Sequence, residues 1–477
     1  MRGVVGGRSE HGPAGPESGS VRSAGVRAPG GVRAGVGGIA RWVAERPRWA
    51  AGPLVALVVV TGVCTAAAPT SGGGGRWGGF AASSDGVARS TPADVQRLED
   101  VRKLLDNRAS ALLRRNRAGW LAGVDPAAKT MRTRQAALFT NIAAVPLAGW
   151  RYAIEPEQER GRAERTADRW TVQVTLHYAL RAVDPAPTTR PLLLTFARRE
   201  GHWLLAADDA VGADGTRTWR GPWEHGPVVV RRGRFSLVLA HPGNAHRLAA
   251  FAAGVDAAVP RVRQVIGSTW PGQVAVLIPD DQREMSELVG ERLVLGKIAA
   301  VAVADTVDPS SEQARGQRIV VNPANLDRLG ALGRRVVLQH EVTHVATRGV
   351  TGPGTPIWLV EGLADWVGYL GSGLPARLVG DELRRQLRSG RWPGRLPTPA
   401  DFRGDSARLS VAYEEAWSAC RLIANRAGPA ALVRLYRAVG TADDPTATVD
   451  VQLRKALGLS YAQFVAEWRR SVRADFG

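Results

Sequence analysis

The sequence predicts an α+β protein, and three observations carry that prediction. Helix-spaced apolar residues and short strand-like runs occur in separate blocks rather than in strict alternation. Helices give way to an antiparallel series of strands between residues 91 and 215, and from about residue 220 a second series of strands leads into helices that fill the remainder of the 477 residues. Ahead of both, residues 49–69 form one uncharged apolar run.

A chain of 477 residues with 44% hydrophobic content is long enough for two or three domains with ordinary cores. Its formal charge of +19 resembles that of a nucleic-acid binder, but only four of the 63 basic residues are lysines (Lys103, Lys129, Lys297 and Lys455). Arginine, alanine and glycine richness together is what a G+C-rich genome produces, so no nucleic-acid partner is expected, while an anionic envelope polymer stays open as a partner. Two cysteines, Cys64 and Cys420, exclude a disulfide framework.

Residues 1–48 are rich in Gly, Arg, Pro and Ser without apolar periodicity, and are expected to be a disordered cytoplasmic tail. The run 49–69 is long enough to cross a bilayer as a helix, and Arg41, Arg46 and Arg48 just before it place the tail inside and everything after it outside. The expected localisation is therefore the cell membrane, single-pass, with an extracytoplasmic remainder. The rival is a cleaved signal peptide ending at Ala66-Ala67-Ala68, which would release the protein. Residues 70–90, with Gly72 to Gly75 in a row, read as a linker.

From 91 to 215 the pattern is that of a small α+β domain. Val95, Leu98, Val101, Leu104, Leu105, Leu112 and Leu113 recur at helical spacing, and a second helix is expected over 132–144. Strands are expected over 170–179, 192–198 and 202–206, with Gly201 turning between the last two. The ending Gly201-His202-Trp203-Leu204-Leu205 is similar to the last strands of nuclear-transport-factor-like cones, a resemblance that implies a small-molecule pocket or a spacer. His177 and His202 read as ordinary strand residues.

The second part, 220–477, opens with strand candidates at 227–230 and 235–239, a helix over 245–266 and a strand at 273–278. His241 and His246 flank the turn Pro242-Gly243, where a solvated or capping role is expected. Further strands are expected at 298–303 and 318–321, and helices at 378–387, 410–427, 430–439 and 461–472, with a Pro-rich loop at 392–399.

The chemistry sits in His340-Glu341-Val342-Thr343-His344. Val336, Val337, Leu338, Val342 and Val345 place this motif on a helix, so two imidazoles four residues apart leave one face and reach one metal ion. A hydrolytic zinc site needs a third protein ligand and an open position. Glu361 can supply the ligand, from a second helix with Thr355 as N-cap and Pro356 at its first position. Gly362 would let this helix and the motif helix approach closely, and Asp365, one turn on, could accept the Nδ1 proton of a ligating histidine and leave Nε2 for the metal. Glu341 would take a proton from the attacking water.

These residues resemble the gluzincin (clan MA) zinc metallopeptidases, with His340, His344 and Glu361 as ligands to one Zn²⁺. The order Pro356, Trp358-Leu359, Glu361-Gly362, Ala364 looks like a bacterial, membrane-anchored branch related to aminopeptidase N-like and thermolysin-like enzymes. The resemblance implies a zincin-like catalytic domain over 220–477 with a mixed sheet, active-site helices and a helical C-terminal part. It also implies that an edge strand before the motif helix pairs with an extended substrate, a role assigned here to Ala300, Val301, Ala302, Val303 and Ala304. Ala412-Tyr413-Glu414-Glu415-Ala416 resembles the element that carries the transition-state tyrosine of aminopeptidase N-type enzymes, which implies a catalytic Tyr413. Those enzymes hold the substrate amine with a Gly-x-Met-Glu-Asn element that is missing here, so an internal cut or an unusual substrate is expected over exopeptidase action. The expected function is a membrane-anchored, extracytoplasmic zinc peptidase acting on a peptide or protein substrate. Two alternatives stay open: a catalytically silent envelope protein with a structural zinc site, and a polymer- or ligand-binding module.

Overall fold

The computed structural model describes residues 91–154, 166–212, 215–290 and 298–477. Helix α1 (Pro92–Leu113) starts at a capping box in which the Thr91 side chain accepts from the Asp94 amide and Asp94 returns the bond. α2 (Arg117–Ala122) and α3 (Lys129–Asn141) follow. Then come β1 (Leu147–Ala153), β2 (Arg169–Leu180), β3 (Thr188–Arg199) and β4 (His202–Ala207), an antiparallel meander in that order. β1 has no counterpart in the sequence reading, because Leu147-Ala-Gly-Trp-Arg-Tyr-Ala carries too weak an alternation.

The second sheet runs β5 (Val229–Arg232), β6 (Ser236–Ala240), β7 (Val274–Ile278), β11 (Arg318–Val321), β8 (Ala300–Val303). β6, β7 and β11 are parallel, and β5 and β8 pair antiparallel at the two edges. The parallel strands are buried on both faces and, after Ser236 at the start of β6 and Arg318 at the start of β11, read as apolar runs, as expected of parallel strands. α4 (Leu248–Ile266) connects β6 to β7, and α5 (Gln282–Val289) follows β7. A hairpin, β9 (Thr306–Asp308) and β10 (Gln313–Arg315), links β8 to β11.

The remainder is helical: α6 (Ala331–Thr347), α7 (Ile357–Tyr369), α8 (Asp381–Arg388), α9 (Leu409–Ala427), α10 (Pro429–Gly440), α11 (Pro445–Leu457) and α12 (Tyr461–Phe476). One face of the five-stranded sheet, with Leu237, Leu239, Leu277, Val301, Val303 and Val320, shares its core with the meander through Tyr178 and Trp223. The other face, with Val238, Val276, Ala300, Ala302 and Ile319, packs on the helices. The alternation Ala-Val-Ala-Val in β8 therefore sends valines to the meander and alanines to the helical side.

Two expectations change. Among the described residues no helix is long and apolar enough to cross a membrane, which overturns the single-pass localisation; the run 49–69 on which it rested lies outside the described residues, as do the expected tail (1–48) and linker (70–90). The longest described helix, the 22-residue α1, carries Glu99, Arg102, Lys103 and Asp106 on its exposed side, which no apolar span could tolerate. His241 is buried rather than solvated: its Nε2 lies 2.9 Å from Glu284 Oε1 and its Nδ1 2.8 Å from Pro227 O. The meander's interior holds a void of about 40 Å³ among Arg108, Gln135, Trp219, Trp223 and their neighbours. That has room for little more than water, because Trp219 and Trp223 fill the space against Tyr178 at ring separations of 5.4 and 5.7 Å.

Candidate metal centre

α6 is buried along most of its length, from Val336 to Thr347, so its polar residues must find partners inside the protein. Its turn geometry brings His340 and His344 together, with their Nε2 atoms 2.9 Å apart. α7 crosses beside it and delivers Glu361, whose Oε2 lies 3.4 Å from His340 Nε2 and 3.5 Å from His344 Nε2. Asp365, one turn further along α7, sits with Oδ1 2.7 Å from His340 Nδ1. α7 begins at Ile357 with Pro356 as N-cap, one residue later than the sequence suggests, and Thr355 Oγ1 donates instead to Gly352 O at 2.8 Å.

Small residues set the helix spacings. Gly362 faces α9, not the motif helix: a Cβ there would meet Ala416 O at 2.3 Å. The glycine against α6 is Gly368, where a Cβ would lie 3.3 Å from that of His340. α9 brings Tyr413 to the site, its ring 6.3 Å from that of His340 and packed edge-on against Phe402 at 5.0 Å. Among the predicted substrate residues, Ala300 to Val303 form edge strand β8, and the Ala302 backbone amide lies close enough to Glu341 to stabilise its charged form. Ala304 follows the strand.

The donor set fits a zinc ion. His340, His344 and Glu361 each offer one ligand atom, and the triangle of 2.9, 3.4 and 3.5 Å they form is close to the edge of about 3.3 Å that tetrahedral bonding at about 2.0–2.1 Å requires. Both Glu341 oxygens, both Glu361 oxygens and the Tyr413 hydroxyl are buried without a hydrogen-bond partner. Five orphaned polar atoms in one place demand a counter-charge or a ligand.

The electrostatics agree. Burial lowers the His340 pKa, but the Asp365 carboxylate and then Glu361 outweigh it and hold the pKa well above the ordinary value. Burial, joined by the charges of His340 and Arg348, lowers that of His344 against the pull of Glu361. Burial opposes ionisation of Glu361, yet His344 and His340 bring its pKa down to about 2. Glu341 is pushed up to about 8, first by burial and then by Glu361. Tyr413 is raised well above the usual phenol range by burial and by Glu361, Asp365 and Glu341, so it remains a proton donor. Three buried carboxylates around two imidazoles thus call for positive charge, which in the protein alone is met by protons that His340 and Glu341 hold above their ordinary pKa values.

No protein-family model matches the chain, and no curated protein matches it. Among solved structures it is similar to a mutant M1 zinc metallopeptidase from Deinococcus radiodurans, at 11% identity and TM-score 0.32 over 65% of this chain and 90% of that one. A two-domain M1 zinc metallopeptidase mutant bound to L-tryptophan gives 13% identity and TM-score 0.28 over 58% of each chain. A protein of unknown function from Mycobacterium tuberculosis gives 15% identity and TM-score 0.18 over 27% of this chain and 82% of that one. Scores this low carry no argument, and the functional reading stands on the site itself.

Proposed function

We propose that the chain is a zinc-dependent peptidase that cuts internal peptide bonds. The observation that carries this reading is the convergence of His340, His344 and Glu361 beside an orphaned Glu341 carboxylate. His340, His344 and Glu361 would hold the ion, and zinc supplies the Lewis acidity that lowers the pKa of a water towards about 7. Asp365 holds the Nδ1 proton of His340 and so keeps Nε2 turned to the ion. Glu341 takes a proton from the attacking water and returns it to the leaving amine. Tyr413, kept protonated by its buried acidic surroundings, donates to the oxyanion. β8 offers its backbone to an extended substrate.

The internal cut is supported by the strand's own residues. Ala300 to Ala304 contain no carboxylate to hold a free amine, and the next acid, Asp305, is engaged with Thr188 and Arg190. One observation favours a second reading, a structural zinc site: His340, Glu341, His344, Glu361, Asp365 and Tyr413 are all 5% exposed or less. Structural sites, however, close with four protein ligands and have no use for a neighbouring base.

Glu341→Gln in the full-length protein distinguishes the two. Under the peptidase reading it retains one zinc per chain and loses about 10²- to 10⁴-fold in turnover on a peptide library. Wild-type protein that binds zinc and cleaves nothing supports the structural reading, and wild-type protein that binds no zinc rejects both.

A further inference from the structure

β8 is a four-residue strand held at both ends, and the two ends are held by different parts of the chain. At its start, Asn325 Nδ2 donates to Ile298 O at 2.7 Å and the Asn322 amide to Ala299 O at 2.8 Å. At its finish the partners come from the meander. The Asp305 side chain, 3% exposed, accepts from Thr188 Oγ1 and pairs with Arg190, both on β3. Next to it, Arg318 stands opposite Val303 on β11 and makes two bonds of 2.7 Å to Asp184, with both side chains 3% exposed. Gly316, at φ +63°, lets the backbone close over this cluster, since a Cβ would come within 2.1 Å of Asp305 Oδ2 and 2.4 Å of Thr188 Oγ1.

Two desolvated ion pairs at one end of so short a strand contribute little net stability, because the cost of stripping water from both partners offsets their attraction. What they do fix is position. The valines of β8 are embedded in the meander's core, and a void at this junction, among Tyr178, Trp219, Val303 and Val320, measures only about 10 Å³. A packed contact of that kind passes a displacement on rather than absorbing it. On the strand's other face Ala300 and Ala302 share a core with Val337, Leu338 and Val342 of α6, the helix that carries Glu341. A slip in β8 would therefore shift the backbone that pairs with an extended substrate, weakening its hold and blurring which bond is presented to the base.

We propose that Asp305, Thr188 and Arg190 are positioning residues that fix the register of β8, so that the meander forms part of the substrate site. The substrate half of this inference rests on the peptidase reading; the strand half does not. The test uses full-length, zinc-loaded protein with Asp305→Ala and, as a milder variant should that one fail to fold, Thr188→Val, with Thr188→Ser as the conservative control. Backbone amide exchange over residues 300–304 is expected to accelerate about tenfold or more in the first two, leaving α6 and zinc content unchanged, while Thr188→Ser behaves as wild type. On a fixed peptide, KM is expected to rise about fivefold with kcat within about twofold, and cleavage is expected to spread to neighbouring bonds. Unchanged exchange in residues 300–304, or acceleration spread evenly over the chain, overturns the positioning role. Looser exchange with unaltered KM and cleavage positions overturns the substrate half alone. If wild-type protein cleaves no peptide while β8 still responds, the peptidase reading fails and the strand clamp stands.

Discussion

Gly362→Ala probes the spacing on which the relation between Tyr413 and Glu361 depends. The added Cβ would sit 2.3 Å from Ala416 O and 2.7 Å from Cys420 Sγ, whereas ordinary contact begins at 3.4 Å. The obstacle is a main-chain carbonyl that cannot rotate away, so α7 and α9 must part by about 1 Å. Overpacking of this kind costs about 1–3 kcal/mol, here at the upper end, and replacing a mid-helix glycine by alanine returns about 1 kcal/mol. The net loss is then about 2 kcal/mol, read as a lower denaturation midpoint with an unchanged slope. Because the three ligands lie on α6 and α7 alone, zinc content should hold; because Tyr413 lies on α9, kcat should fall by about 10²-fold. Gly368→Ala is the control: its Cβ would meet Val336 O at 3.1 Å and His340 Cβ at 3.3 Å, a squeeze of a few tenths of an ångström that the helix gain offsets to within about 1 kcal/mol. A Gly362→Ala protein that is as stable and active as wild type, or that loses zinc in step with activity, refutes the assignment of this glycine to the α7–α9 contact.

Tyr413→Phe removes a buried hydroxyl that has no partner, so stability should be unchanged or slightly higher while kcat falls with little change in KM; a drop in melting temperature would return Tyr413 to a packing role. Zinc binding should release protons, since His340 holds one above its ordinary pKa and Glu341 titrates at about 8; titration calorimetry in two buffers of different ionisation enthalpy at pH 7 should show this release, and affinity should weaken as pH falls. Glu224, raised to about 7 by burial against the pull of Arg220, binds its proton more tightly folded than unfolded, where its value is 4.5. Its favourable contribution is thus complete below the unfolded value and is lost as pH rises through the folded one, and Glu224→Gln should flatten the fall in melting temperature across that window.

The site was legible in the sequence as far as a single helical turn can carry an argument. His340 with His344, and Glu361 with Asp365, are pairs four residues apart, and such spacing dictates a shared face before any tertiary contact forms. The fold class followed for the same local reason, from blocks of helical and alternating period. Tyr413 is different: nothing in its spacing ties it to a residue 52 positions away, and only resemblance singled it out. What escaped entirely is what depends on partners distant in the chain. His241 looked solvated at a Pro-Gly turn because its partner, Glu284, lies 43 residues on. Gly362 was assigned to the wrong neighbour, since no period along α7 says whether α6 or α9 lies opposite. Thr188 and Asp305, 117 residues apart, carry no local signal.

The five-stranded sheet has no wet side. Leu237, Leu239, Leu277, Val301, Val303 and Val320 lean on the meander as fully as their alternates lean on the helices, each worth roughly 1.5–3 kcal/mol when kept dry. A shortened chain starting near residue 220 would retain every ligand of the metal centre and still present that oily surface to solvent, inviting other strands to cover it. Anyone wishing to produce the portion from residue 220 alone should expect inclusion bodies, and should begin the gene ahead of Thr91.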